Sequence, residues 1–244
     1  MNLVIDIGNS YSKIAVIDNT KVVKVFSFKD LSLSNLKSIP EKYPDLTKAI
    51  ISSVKNPDKK LLNFLKNNFN KFIELTEKTP LPLENLYRSK KTLGKDRIAL
   101  AVCASNIFPG SNVLVIDLGT AITYDLVNSN NQYIGGNISP GLNMRFSALN
   151  KFTDQLPLVT RCPEFPEIAN NTKEAVISGV QHGILFEIEG NINRLKKKYN
   201  KLKVILTGGD ALFFDKIIKS VIFVDLNLIY IGLNRILEYN ARET

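Results

Sequence analysis

The run Leu3-Val4-Ile5-Asp6-Ile7-Gly8-Asn9 returns as Leu114-Val115-Ile116-Asp117-Leu118-Gly119-Thr120, an offset of 111 residues in a chain of 244. Both copies are apolar runs ending in Asp-x-Gly-(Asn/Thr). Each is followed by a second strand-like stretch, Lys13 to Ile17 in one and Ile122 to Val127 in the other. Each then turns at polar residues, Asp18-Asn19-Thr20 and Asn128 to Asn131, into a further strand. An echo at half the chain length predicts two related lobes rather than a repeat array. The clearest loop signal between the halves is Phe108-Pro109-Gly110-Ser111, which divides the chain into 1–109 and 110–244.

Each half reads as a strand meander followed by helix and strand units. Pro57 to Phe69 carries a broad apolar face at helical spacing, and Phe72 to Leu75 follows as a short strand. Leu93 to Phe108 and Leu226 to Tyr239 read as helices. Thr172 to Tyr199 is a long helix with Thr172 as its cap, and Lys203 to Leu206 is a strand before a helix that begins near Asp210. Gly179 and Gly183 leave two bare spots on one face of the long helix, where another helix can approach. The expected class is α/β, with mixed sheets flanked by helices.

Composition narrows the function. An apolar share of 44% supports a packed core and excludes a disordered chain. No stretch approaches the ~18 consecutive apolar residues of a membrane helix. Asp6 and Asn9 interrupt the first apolar run, so no signal peptide is expected and the cytoplasm is the expected compartment. Cys103 and Cys162 have no CxxC partner or nearby histidine, which points to reduced thiols rather than a zinc site. The net charge of +9 favours an anionic partner. The basic cluster Lys196-Lys197-Lys198 lacks interleaved aromatics beyond Tyr199 and reads as a solvated helix end, so no nucleic acid is expected.

The Asp-x-Gly turns are the places for chemistry. Gly8 lets backbone approach a ligand, and the amides and hydroxyls of Asn9, Ser10 and Ser12 can cradle phosphate oxygens. Asp6 can hold Mg²⁺ directly or through water, and Lys13 can reach a phosphate. A single such turn is also an ordinary hairpin. Two copies facing each other would clamp the β- and γ-phosphates of a nucleotide. In the second copy Thr120 and Thr123 add hydroxyls, and Asp125 is expected at the surface. Thr207-Gly208-Gly209-Asp210 is a third glycine turn, suited to a nucleotide or to a plain strand-to-helix connection. Gly135 to Gly141 resembles a fourth close-approach loop. Gly94-Lys95-Asp96-Arg97 sets an acid in a helix first turn. That is electrostatically favourable by itself, and it also offers a general base with Arg97 as a carboxylate fork. His182, the single histidine, has no nucleophile or metal partner and reads as structural or interfacial.

These residues resemble a known group. Two Asp-x-Gly-(Thr/Asn) turns with a late Gly-Gly turn resemble the actin-like ATPase superfamily, whose two lobes are ribonuclease H-like. Within it the chain resembles the type III pantothenate kinases. The matching motifs are Ile5 to Ser10, Leu93 to Arg97, Ile116 to Asp125 and Gly135 to Leu142, in the family's order and spacing. The resemblance implies ATP-dependent phosphorylation of pantothenate to 4'-phosphopantothenate, the first step of coenzyme A biosynthesis. It implies ATP on Asp6, Ile7, Gly8, Asn9, Ser10, Tyr11, Ser12 and Lys13 and on Thr120, with Mg²⁺ held at Asp6 through ATP. It implies Asp96 as proton acceptor, with Tyr87, Gly94, Lys95, Asp96, Arg97 and Thr172 contacting pantothenate. It implies potassium or ammonium on Asp117, and a homodimer. Two departures stand out. Tyr87 is followed by Arg88-Ser89-Lys90-Lys91 where the family has Asn-Pro, and Ser10 stands where threonine is commoner.

Other functions fit parts of the same pattern. They are a kinase for another small hydroxylated substrate, a polyphosphate-type phosphatase, a regulatory relative that keeps only the nucleotide clamp, and a filament-forming actin relative, for which the chain is short.

Overall fold

A computed structural model describes residues 1–220 and 222–242 of the chain. Its first elements are β1 (Asn2–Ile7), β2 (Ser12–Asp18), β3 (Lys21–Phe28), α1 (Leu33–Lys42), β4 (Lys48–Ser53), α2 (Lys59–Asn68), β5 (Lys71–Glu74), β6 (Glu84–Asn85) and α3 (Lys95–Ile107). There follow β7 (Val113–Leu118), β8 (Ala121–Val127), β9 (Gln132–Pro140), α4 (Leu142–Lys151), α5 (Thr172–Lys198), β10 (Lys203–Thr207), α6 (Ala211–Asp215), β11 (Phe223–Val224) and α7 (Leu228–Arg242).

The echo in the sequence is an echo in topology. One sheet is ordered β3-β2-β1-β4-β5. The other contains β9-β8-β7-β10-β11 in the same arrangement, with β6 added beside β9. In both, the Asp-bearing strand is antiparallel to its hairpin partner and parallel to the next strand: β1 with β2 and β4, β7 with β8 and β10. Both sheets are therefore mixed, and each Asp-x-Gly turn joins an antiparallel pair.

The chain packs as two compact units. The first holds residues 1–109, 130–135 and the chain from Asn227 onward; the second holds 110–129 and 136–226. The sequence division at 109/110 falls on one of these boundaries, but it assigned 227–242 to the second half. The packing groups α7 with the first unit because α7 lies on α3, β1 and β4. Gly232 makes that packing close: a Cβ there would stand 1.9 Å from the Ala99 carbonyl oxygen. Residues Ile98 to Ala104 of α3 are all buried, which explains why no clean polar face marks this helix.

In the first unit, Leu3, Ile5, Ile14 and Val16 pack on Leu36, Ile39, Leu61 and Leu65. In the second, Leu114, Ile116, Ile122 and Leu126 pack on Phe146, Ile184, Ile188 and Phe214. Predicted element ends shift by one to three residues. Four expectations change more. Asn171, not Thr172, caps α5: its side chain accepts from the Glu174 amide at 3.0 Å, and Thr172 is the first helical residue. Gly135 to Pro140 belongs to β9 rather than to a loop, because Tyr133, Ile134 and Ile138 carry a strand through the glycines. Asp125 is fully buried, held by the Thr123 hydroxyl at 2.9 Å. Among the described residues a Cβ at Gly179 would meet nothing within 4 Å, and one at Gly183 would meet only the Arg145 guanidinium of α4, at 3.8 Å.

The chain offers a matched pair of glycine tests. Gly232→Ala should destabilise the protein by about 1–3 kcal/mol or more, the usual cost of overpacking. Gly190→Ala, on an exposed α5 position with nothing within 4 Å, should stabilise it by about 0.5–1 kcal/mol. Urea denaturation of both variants checks the pair, and equal effects would contradict the α3–α7 contact.

Candidate active site

In the first unit, the site is built around the end of β1. Asp6 lies in register with Lys13 of β2 on one side and Ser52 of β4 on the other. The turn beyond it closes with the Gly8 amide donating to the Tyr11 carbonyl at 3.1 Å. A Cβ on Gly8 would press on that same oxygen at 3.0 Å. Lys55 donates to the Asn9 carbonyl at 2.9 Å and steadies the turn. Asn9, Ser10, Tyr11 and Lys13 are exposed, whereas Ser12 is buried in the hairpin.

Gly94-Lys95-Asp96-Arg97 opens α3, with Gly94 at the cap position. A Cβ on Gly94 would stand 2.3 Å from Asp96 Oδ1, so the carboxylate folds back over Gly94 and a side chain there would push it aside. The same oxygen accepts from the Arg97 amide at 2.8 Å. The positive helix start thus holds the carboxylate of Asp96. Arg97 is buried, and its guanidinium lies 5.7 Å from the centre of the Tyr87 ring. The spacing of motifs had brought these residues together only by resemblance; here they share one unit with Asp6.

Asp6 and Asp96 feel each other. Burial, and then the Asp96 charge, push the Asp6 carboxyl from 3.8 up to about 7, against the pull of Lys13 and the Ser52 hydroxyl. Burial and the Asp6 charge also hold the Tyr230 phenol of α7 above its ordinary range. A carboxyl in this state suits a divalent cation. Mg²⁺ takes one or two carboxylates together with phosphate oxygens and water, and its charge would offset both the burial and the Asp96 repulsion that keep Asp6 protonated. Ser52 and Tyr230 were missed in the sequence. Ser52 had a signal, the polar end of the apolar run Ala49-Ile50-Ile51; Tyr230 had none, since α7 reads as an ordinary apolar helix.

The second unit carries its own turn. Asp117 ends β7, opposite Thr123 of β8 and Thr207 of β10. Three glycines pack on this turn or form it. Gly208, at φ +97°, leaves no room for a Cβ, which would stand 2.3 Å from Asp117 Oδ1 and 2.6 Å from Leu118 backbone. Gly141 donates to the Thr120 carbonyl at 3.2 Å, and its Cβ would stand 2.3 Å from that oxygen. Gly119 makes the corner itself. The Asp210 amide donates to the Leu118 carbonyl at 3.0 Å, while its carboxylate pairs with Arg161 at 2.8 Å. The third and fourth glycine signals of the sequence therefore both converge on the second Asp-x-Gly turn. Thr120 stays exposed at its tip.

Thr172 sits elsewhere in this unit. It lines an apolar cavity of about 580 Å³ with Leu149, Leu156, Val176 and Gly179. His182 packs between Phe165 and Phe186, at 4.7 and 5.7 Å between ring centres, with no catalytic partner. Cys103 and Cys162 form no disulfide among the described residues, the first being buried and the second half-buried. Among the described residues no group of three or more His, Cys, Asp or Glu gathers as a metal cluster, and no helix is long and apolar enough to cross a membrane.

The charge state of Asp6 is measurable in the ligand-free protein. The fold keeps this proton up to about pH 7, whereas the unfolded chain releases it near 3.8. The folded state therefore binds the extra proton in that window, and stability falls as pH rises through it. Between pH 5 and 8 this group should remove about 3 kcal/mol of stability. Asp6→Asn should remove that component. Urea unfolding of both proteins at the two pH values, with EDTA present, checks it; equal pH slopes would contradict it.

A family model for type III pantothenate kinase matches residues 2–194. A type III pantothenate kinase of Phocaeicola vulgatus is 47% identical over 242 residues, covering 99% of this chain and 100% of the relative. One of Bacteroides fragilis is 48% identical over 240 residues, covering 98% of each. Among solved structures, a Campylobacter jejuni protein described as a Baf family transcriptional activator superposes with a TM-score of 0.66 at 24% identity, covering 98% of this chain and 99% of that one. Component A of (R)-2-hydroxyglutaryl-CoA dehydratase from Acidaminococcus fermentans gives 0.52 at 15% identity, covering 98% and 96%. These structural likenesses carry the fold, that of the actin-like ATPases and sugar kinases, and the full-length sequence matches carry the family. The chain belongs to the type III pantothenate kinase family.

Proposed function

We propose that this chain transfers the γ-phosphoryl group of ATP to the terminal hydroxyl of pantothenate, giving 4'-phosphopantothenate in the opening step of coenzyme A biosynthesis. The observation that carries the reading is the placement of Gly94-Lys95-Asp96-Arg97 in the same unit as the Asp6 turn, with the Asp96 charge acting on Asp6. Phosphoryl transfer asks for positioning and charge neutralisation more than for covalent chemistry. Asp6 holds Mg²⁺ through ATP, and Ile7 to Lys13 with Thr120 cradle the phosphates. Gly94, Lys95, Arg97, Tyr87 and Thr172 bind pantothenate, Arg97 taking its carboxylate in a two-pronged hydrogen bond. Asp96 accepts the hydroxyl proton as the new O–P bond forms.

Asp117 holds a monovalent cation, potassium or ammonium. The close packing of Gly208 against its carboxylate supports the role, since backbone without a side chain lies directly beside that oxygen. The enzyme acts as a homodimer. The second unit exposes Phe152, Leu158, Ile168 and Phe186, apolar side chains that a second copy would cover. Its compartment is the cytoplasm, in keeping with two cysteines that form no disulfide among the described residues.

ADP release from ATP and Mg²⁺ tests the reading. Turnover should depend on pantothenate and fall when sodium replaces potassium. Asp96→Asn should lower kcat by about 10²- to 10⁴-fold, and Asp117→Asn should abolish the potassium response. Turnover on another hydroxylated substrate but not on pantothenate would overturn the substrate assignment.

A further inference from the structure

We propose that Tyr133 is a positioning residue for pantothenate phosphorylation, acting through Tyr87 on Arg97; the inference rests on the pantothenate-kinase reading above. Tyr133 lies on β9 and is wholly buried, so it touches no substrate. β6 runs parallel to β9 and sets Asn85 opposite Tyr133. The Leu86 amide donates to the Tyr133 carbonyl at 3.0 Å, and the Tyr87 amide donates to Asn85 Oδ1 at 3.0 Å. The backbone before Tyr87 is therefore pinned to β9. The ring is pinned as well: Tyr87 stacks on Tyr133 with centres 6.1 Å apart and planes 29° from parallel.

Gly135 finishes the seat. A Cβ there would meet the Tyr87 ring at 3.4 Å, and φ of +125° disfavours any side chain. Tyr87 is thus backed by one aromatic ring and flanked by bare backbone. The guanidinium of Arg97 lies over the Tyr87 ring, 5.7 Å from its centre, and the Arg97 backbone amide donates to Asp96. The contacts run without a break from a buried ring to the acid–base group. A guanidinium resting on a ring face is held in orientation as well as in place.

Kinetics and a substrate-free measurement test the proposal together. Tyr133→Leu should raise the KM for pantothenate about 3- to 10-fold, the worth of one aromatic pair. The KM for ATP should stay within about 2-fold, less than one such pair contributes. Tyr133→Phe should stay near wild type. In a Tyr87→Leu background, Tyr133→Leu should add nothing further, because its effect passes through that ring. Tyr133→Met, which removes the ring but fills more of its space, should give the same KM rise if Tyr133→Leu does not fold. Without any substrate, the ring-current shift of the Arg97 side-chain protons should collapse in Tyr133→Leu and persist in Tyr133→Phe. An unchanged Arg97 shift, or equal KM effects in both Tyr87 backgrounds, would overturn the proposal. If the wild-type protein does not phosphorylate pantothenate, the reading of function fails, and the Arg97 shift decides the positioning alone.

Discussion

Two carboxylates that repel each other set the terms for the first unit. Asp6 ends a central strand, Asp96 opens a helix, and burial, with the Asp96 charge adding to it, keeps a proton on Asp6 near neutrality. The fold does not relieve this repulsion. Lys13 and Ser52 oppose it from the neighbouring strands, yet burial wins. Such a pair is unfavourable for an empty protein and favourable for one that takes up a cation and phosphates. In an enzyme of this family that is the expected trade, since the groups that hold Mg²⁺ and accept a proton must sit close to one reacting centre.

The second unit solves a related problem without a second acid–base group. Its Asp-x-Gly turn is packed by Gly208 and Gly141 so tightly that no Cβ fits at either position. Rigid backbone around Asp117 and an exposed Thr120 suit the holding of ions and phosphates rather than proton transfer. The five-strand order common to the two sheets therefore holds two turns that differ in what packs on each.

Much of this was legible in the sequence, because both turns advertise themselves through Asp, Gly and flanking apolar runs. The repeated motif carried the paired topology, and Gly94-Lys95-Asp96-Arg97 carried the glycine-capped start of α3 with its first-turn acid. What was not legible depends on long-range packing. Gly232 reads as a mild flaw in a helix until Ala99 of α3 is seen against it. Asp125 reads as a surface acid because its partner Thr123 is two residues away on the same buried strand. Gly135 and Gly136 read as a loop because glycine in a strand leaves no periodic signal. Tyr230 reaches the electrostatics of Asp6 from the far end of the chain, a distance that no local pattern spans.

The mutual influence of the two carboxylates is the claim on which the account stands. It is measured most directly by following the side-chain carboxyl ¹³C resonance of Asp6 through a pH titration of ligand-free protein, in the wild type and in Asp96→Asn. The account predicts a midpoint at about 7 in the wild type and a clearly lower one once the Asp96 charge is removed. A wild-type midpoint in the ordinary carboxylate range, or one that Asp96→Asn leaves in place, would contradict it.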